Sequence, residues 1–463
     1  MKAGFWGRLR RQDRLTMTCC LRDFLTPAIL RTVHAGVPHW DDQAKSWELT
    51  TLLWTSLLVY MQDGKDSLHQ RFHRAAKTVG RIRCKQRAPG KTLSGFLQAL
   101  KRLPYLVLVR FRVAVRDQIR KKVENFTRFG RWLVLAADGS RLILPRTAAN
   151  EKSFGGDGEG DAPNLLITVI YDILQGIPYD WRIGSTRSGE RKHVRQMLGG
   201  LPPDALLVAD IGFGGYDQMD LMDLGSHCFL IRVGSTTQLL ALGKFEKGIE
   251  GYRVWLWPRY RRDLAPLELR AIKLKPKGQQ EEVWLLTNVL DTSALPGKQA
   301  AEIYEARWRI EVDVFRGVKQ TLGKTKLCAC TPLAAMKEAE WVLLGLLVLQ
   351  GMSTVAQQSD KAAAGGIFPE ASLRAVQSLV EEYAEKIRNG RKGWDFGQKL
   401  RRAIRDGYKR KGTRRARRPV KIKDVSPPKP PKVLKITPRL KAKGMRKLAE
   451  KMRQRQSQEH AVA

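Results

Sequence analysis

Apolar positions along the first ~120 residues recur at helical spacing. Trp47 to Gln62 (WELTTLLWTSLLVYMQ) and Leu93 to Leu103 (LSGFLQALKRL) carry the pattern, with a cationic stretch from Arg71 to Lys91 between them. The texture changes at Trp132. Trp132 to Ala137 (WLVLAA) is a continuous apolar run that ends in Asp138-Gly139, and Arg141 to Leu144 (RLIL) follows. Asp-Gly between two apolar runs predicts a hairpin. Asn164 to Ile173 (NLLITVIYDI) predicts a third strand. A charged helix follows over Glu190 to Leu198, then a fourth strand, Ala205 to Ala209 (ALLVA), that ends in Asp210. A short helix after Gly215 leads to a fifth strand, His227 to Val233 (HCFLIRV). Tyr252 to Pro258, Leu267 to Leu274 and Val283 to Leu290 read as further strands. A helix opens near Lys298 and runs to about Leu322, and two more cover Leu333 to Val355 and Glu370 to Arg388.

Three hairpin-linked strands, a helix, a strand, a helix and a strand make the element order of a ribonuclease H-like fold. The expected class is therefore α/β, with a ribonuclease H-like core over 126–360 and a β-rich insertion at about 234–297. A helical region at 1–125 precedes the core. A helical region at 361–400 and a basic, largely disordered tail at 401–463 follow it.

Charge narrows the partner. Lys and Arg number 84 against 45 Asp and Glu, a formal charge of +39. A surplus of that size calls for a polyanion; nucleic acid is the usual one and an anionic membrane surface is the rival. The longest apolar run, Trp341 to Gln350 (WVLLGLLVLQ), is far short of the ~20 residues a spanning helix needs and reads as a core helix. The basic start MKAGFWGRLRRQDR leads into no apolar stretch, so no secretory signal is expected, and a cytoplasmic, nucleoid-associated protein without a membrane partner is. From Arg388 to Ala463, 27 Lys and Arg face five Asp and Glu, or +22 of the total. Such a segment cannot bury enough apolar surface to fold alone, so an extended arm is expected. Two readings of that arm stand open: a solvated tail, or a phosphate-backbone contact. The six cysteines (19, 20, 84, 228, 328 and 330) form no CxxC pair, which favours reduced thiols over a zinc site.

Candidate chemistry sits at strand ends. Asp138 and Asp210 each follow an apolar strand and precede a glycine-containing turn (LVLAADGS and LLVADIGFGG). Either alone is as well explained by turn chemistry. Tyr304 to Lys319 reads YEARWRIEVDVFRGVK. On a helix Tyr304, Arg307 and Glu311 fall within roughly 60° of one another. That face is not a core stripe, because Ile303, Trp308, Ile310 and Val314 can supply the buried side.

Tyr-x2-Arg-x3-Glu followed by a lysine, behind two strand-end Asp residues and a β insertion, resembles the bacterial DDE transposases of insertion sequences with the Y-R-E-K signature, the insertion-sequence-four family. The resemblance covers roughly Trp132 to Ala356, with support from ADGSRL at Asp138, GERKHVRQML at Gly189, VADIGFGGYD at Asp210 and WLLTN at Trp284. It implies an enzyme that cleaves DNA at transposon ends and transfers the freed 3′-hydroxyl into target DNA. Asp138, Asp210 and Glu311 would be its catalytic carboxylates and would hold two Mg²⁺ (or Mn²⁺) ions, hard cations that suit carboxylate oxygens. Tyr304 and Arg307 would bind DNA phosphates. The implied partners are double-stranded DNA, both terminal inverted repeats and target, and a second copy of the chain in a synaptic homodimer. The basic N-terminal helices would read the inverted repeats.

Two positions depart from the family pattern. Its lysine stands seven residues after the glutamate, but position 318 is valine here and the lysine is Lys319. A π-bulge near Gly317 would absorb the extra residue; otherwise Arg316 supplies the cation. This departure keeps a second reading alive, a decayed transposase that binds DNA without cutting it. Relatives that open a DNA hairpin stack a base on a tryptophan of the insertion. Trp284 falls one residue from that place, on the opposite strand face, and a buried strand tryptophan is the stronger reading.

Overall fold

The computed structural model describes residues 16–43, 47–83, 89–123, 128–156, 160–243, 251–274, 282–357, 373–391, 395–406 and 429–462. Among the described residues seven helices come first: α1 (Met17–Arg22), α2 (Pro27–His34), α3 (Trp40–Gln43), α4 (Leu49–Met61), α5 (Leu68–Ile82), α6 (Leu93–Arg102) and α7 (Tyr105–Lys122). Next come β1 (Leu133–Ile143), α8 (Ala148–Phe154), β2 (Asn164–Asp172), β3 (Ile177–Ser185), α9 (Glu190–Leu198), β4 (Ala205–Ala209), α10 (Tyr216–Leu224) and β5 (Cys228–Val233). Four short strands follow, β6 (Gln238–Ala241), β7 (Tyr252–Leu256), β8 (Leu267–Leu274) and β9 (Val283–Thr287). Then come α11 (Gly297–Ala306), a π-helix (Ile310–Thr321), α12 (Pro332–Ala356), α13 (Leu373–Arg388), α14 (Phe396–Asp406), β10 (Lys432–Lys435) and α15 (Pro438–Val462). The architecture is mixed α/β, with many helices and extensive sheet. The residues gather into two compact units: one from 1–127, 139–189 and 309–412, the other from 128–138, 190–308 and 413–463. The strand β1 passes from the second unit into the first at Asp138-Gly139.

The first unit is built on α12. This helix is long and apolar enough to cross a membrane by length and composition alone, but 89% of its apolar window is buried inside the protein. Helices α4, α7, α13 and α14 and strand β3 pack against it. All 13 residues of α4 are buried too, as expected for a helix that is apolar on every side. Charged side chains sit inside this core, Glu340 of α12 fully buried among them. Glu340 of α12 accepts hydrogen bonds from Tyr105 (3.0 Å), Arg112 (3.2 Å) and Trp181 (3.0 Å). Arg112 turns its other edge to Asp180 at 2.9 Å. Burial pushes the Glu340 carboxyl above its ordinary value, against the pull of Arg112.

The hairpin expected at Asp138-Gly139 is not there. β1 runs unbroken through both residues. A tight type I′ turn needs positive φ at its two central positions, and Gly139 is not among the described glycines with positive φ. The hairpin stands further on, between β2 and the unpredicted β3, which pair antiparallel from Leu165↔Ser185 to Asp172↔Ile177. Its turn has the chemistry the other lacks. Gly176 takes φ +72°, and Asp172 Oδ1 accepts from the Leu174 and Gln175 amides at 3.1 and 2.9 Å.

In the second unit the strands run β10-β6-β7-β8-β9-β5-β4-β1. β1, β4 and β5 are parallel and form its largely apolar centre, while β9, β8, β7 and β6 add an antiparallel run. The basic C-terminal segment departs from the expected disordered arm over its described part. Lys432–Lys435 pairs parallel with Gln238–Ala241, and a 25-residue helix follows. Composition argued that this segment could not fold alone; an open edge strand, β6, supplies the partner it lacks.

Candidate active site

The last aligned pair of β1 and β4 is Ala137↔Ala209. Asp138 and Asp210 are therefore the next residues on two neighbouring parallel strands, whose spacing is about 4.8 Å. Up to the two alanines both strands are buried; at the aspartates the chain meets solvent, with 27% and 36% of the side chains exposed. Asp210 also turns the chain: its Oδ1 accepts the Ile211 amide at 2.7 Å.

α11 brings two more of the expected residues to the same place. Arg307, the C-cap of α11, lies 3.3 Å from Asp210 and 3.7 Å from Asp138, so one guanidinium bridges the two carboxylates. The Tyr304 hydroxyl donates to Asp210 Oδ1 at 3.3 Å, and the Arg307 guanidinium lies 5.4 Å from the Tyr304 ring centroid. Burial first, and the Asp210 charge second, push the Tyr304 hydroxyl above its ordinary value, with Arg307 and Arg232 opposing. The phenol thus keeps its proton and stays a donor.

The remaining expected residues belong to the first unit. The segment from Ile310 to Thr321 is a π-helix, and at its end the Leu322 amide reaches back five residues to the Gly317 carbonyl at 2.9 Å. The bulge inferred from one surplus residue is real and extends over the whole segment. Glu311 is partly exposed, with Arg316 Nε 4.0 Å from its Oε1. Lys319 donates to Ser140 Oγ at 2.7 Å, and Ser140 stands two residues beyond Asp138 on β1. Arg316 thus faces Glu311, and Lys319 faces Ser140.

Residues 133–348 match the family model described as the transposase DDE domain. The insertion-sequence-four transposase InsG of Escherichia coli (strain K12) is 23% identical over 220 residues, 46% of this chain and 50% of that protein. The chain thus spans about half the length of the curated relative it matches. Residues 133–348 are thus similar to transposase DDE domains, that of an insertion-sequence-four transposase among them. A cryo-EM structure of the piggyBac transposase synaptic complex with hairpin DNA aligns over 86% of each chain at 11% identity and a TM-score of 0.42.

Within residues 133–348 the sequence pattern missed two neighbours of the candidate residues. Arg232 of β5 hydrogen-bonds Tyr304 and so joins the cluster. Its signal was faint, a lone charge in the apolar run HCFLIRV. Ser140 is the other, hidden in the supposed hairpin. Trp284 is buried, 8% exposed, against Tyr252, so the buried-tryptophan reading of that residue holds.

Among the described residues no three His, Cys, Asp or Glu side chains are grouped so as to hold a metal ion. Asp138 and Asp210 nevertheless fit a cation as a pair, because they already hold one between them. The Arg307 guanidinium sits there, and the oxygens that bracket it are the hard donors a divalent ion such as Mg²⁺ selects.

Proposed function

We propose that this chain is a cut-and-paste DNA transposase with a ribonuclease H-like core, which cleaves strands at transposon ends and joins the freed 3′-hydroxyls to target DNA. The single observation that carries the reading is the pair of strand-end carboxylates, Asp138 and Asp210, bracketing one guanidinium. Turn chemistry would explain either aspartate alone but gives no reason for both to face the same cation. Glu311 enters as the third carboxylate by its place in the signature, four residues after Arg307. Two Mg²⁺ or Mn²⁺ ions held by these carboxylates would activate the attacking hydroxyl and stabilise the leaving oxygen.

The chain's own side chains do the rest. Tyr304 and Arg307 hold the DNA backbone at the cut, the arginine by the two-pronged contact that guanidinium makes with phosphate. Arg307 has two settings in this scheme: without DNA it neutralises the aspartates, and with DNA it turns to phosphate. Lys319, placed on Ser140 Oγ, supplies a second cation beside β1. The N-terminal helices read the inverted repeats, a homodimer pairs two ends, and the protein works in the cytoplasm at the nucleoid.

The test is nicking of duplex DNA that carries the element's inverted repeats. Nicking should require Mg²⁺ or Mn²⁺ and vanish in Asp210→Asn, while the DNA mobility shift persists. Nicking that survives Asp210→Asn overturns the reading. The surplus residue before Lys319 favours a second reading, a decayed transposase acting as a DNA-binding protein; a shift without nicking in the unaltered chain selects it.

A further inference from the structure

The C-terminal strand and helix form a second, separately anchored basic surface. Three features pin α15. β10 joins the edge of β6 over four residue pairs, Lys432↔Gln238 to Lys435↔Ala241. Gly444 is buried so closely on Trp255 that a Cβ there would lie 2.2 Å from the indole ring. Lys451 reaches Asp220 at 2.8 Å and Asp223 at 3.5 Å on α10. These contacts define one face: Leu440, Gly444, Leu448 and Lys451 lie within roughly 80° on a helical wheel, and all are buried or half-buried.

The opposite face is a stripe of charge. Arg439, Lys443, Arg446 and Arg453 are exposed and also fall within roughly 80° of one another, about 140° from the docking face. One acid, Glu450, lies in the stripe and is paired with Lys447 at 3.2 Å. From Arg439 to Arg453 the stripe is about 21 Å long. A DNA strand presents a phosphate every ~3.4 Å of helix axis, so the stripe spans about six of them.

We propose that α15 is a sequence-independent clamp on the phosphate backbone of duplex DNA, held at a fixed place by β10 and α10. The argument is charge complementarity on a rigid support. A flexible basic tail would lose conformational entropy on binding, whereas α15 is ordered already. The inference deepens the reading above and rests on it for the identity of the polyanion.

The experiment compares the full-length chain with a variant carrying Arg439→Gln, Lys443→Gln, Arg446→Gln and Arg453→Gln. Fluorescence anisotropy follows binding to a duplex without inverted repeats across a salt series. Each lost phosphate contact lowers the slope of log K against log salt by about 0.9, so the slope should fall by about 3 to 4 units. Gly444→Leu should give a similar loss by dislodging the helix, and a variant with lysine at all four positions should keep the original slope. Melting curves that match between the glutamine variant and the unaltered chain exclude unfolding.

An unchanged slope overturns the proposal. So does a loss of dimer mass without a change in slope, which would make a second copy of the chain the occupant; Met445 and Met452, 54% and 66% exposed, are the apolar residues of α15 such a contact would use. Nicking of end-bearing DNA is read in parallel. Nicking by the unaltered chain with no slope change sinks the clamp alone. A slope change with no nicking sinks the transposase reading alone.

Discussion

Replacing Arg307 with methionine tests whether its guanidinium stands where a metal ion goes. The Arg307 side chain is 9% exposed, so the unbranched apolar methionine fills most of the same space without a cavity. The perturbation therefore removes a charge and little packing. In the unaltered chain an incoming cation must displace two ion pairs, at 3.3 Å to Asp210 and 3.7 Å to Asp138. The guanidinium is buried, but the carboxylates are 36% and 27% exposed, and solvent screens them. Each pair is then worth about 0.5–1.5 kcal/mol, and the two together about 1–3 kcal/mol. Removing that competition should tighten Mn²⁺ binding about 5- to 150-fold. The assay is calorimetric titration of Mn²⁺ into the full-length chain without DNA. Arg307→Met should bind more tightly, Asp210→Asn should bind much more weakly, and the double variant should resemble Asp210→Asn. End nicking by Arg307→Met should nevertheless fall, because the proposed phosphate contact would be gone. Mn²⁺ affinity that is unchanged or weaker in Arg307→Met refutes the reasoning: the arginine would then be a strut for the aspartates and no stand-in for a cation.

Three further outcomes concern the fold. Glu340→Leu strips an acceptor from Tyr105, Arg112 and Trp181 inside the first unit; orphaning buried donors and a buried guanidinium should cost about 3–5 kcal/mol, read from the urea midpoint, and a cost below about 1 kcal/mol would mean the hub reorganises. Lys324 is buried (3% exposed) and its ammonium is lowered from 10.5 to about 8, chiefly by that burial. Between about pH 8 and 10.5 the unfolded chain holds a proton that the folded one has lost, so the lysine makes stability rise with pH across that window. Lys324→Met should accordingly be roughly 1–3 kcal/mol more stable than the parent at pH 7, with the gap closing by pH 10.5; a gap that stays constant argues against a neutral lysine. Gly176→Ala has room for its methyl group but must adopt φ +72°, a cost of about 1–2 kcal/mol; no loss in melting temperature would mean that the β2–β3 turn relaxes.

Local chemistry was legible where one residue type and its immediate neighbours decide the outcome. The apolar runs at Leu133–Ala137 and Ala205–Ala209 can only be buried strand, and both end in aspartate. The π-helix was legible for a different reason: a signature one residue too long has to store the surplus somewhere, and Gly317 is where the last turn closes five residues back. Errors arose where a distant segment decides. Asp-Gly carries hairpin potential in isolation, but β4 pairs with β1 up to Ala137 and the extended backbone continues through the dipeptide. The C-terminal segment looked unable to fold because its partner, β6, lies nearly two hundred residues earlier and is only four residues long.

The same argument explains why Arg232 escaped notice. Its side chain acts on Tyr304 because β5 lies between β4 and β9, with Arg232 opposite Leu285, and register of that kind depends on pairing between strands dozens of residues apart. A single charge in an apolar strand is therefore worth singling out once its neighbours in the sheet are known, and not before. Arg232 and Arg307 approach Tyr304 from different elements, and both favour the loss of its proton, to a lesser degree than burial and Asp210 favour its retention. The phenol is thus held as a donor beside the carboxylate while two guanidinium groups stay close. In the proposed role, where two aspartates and a DNA phosphate share the same few ångströms, these cations would offset the anions with and without DNA.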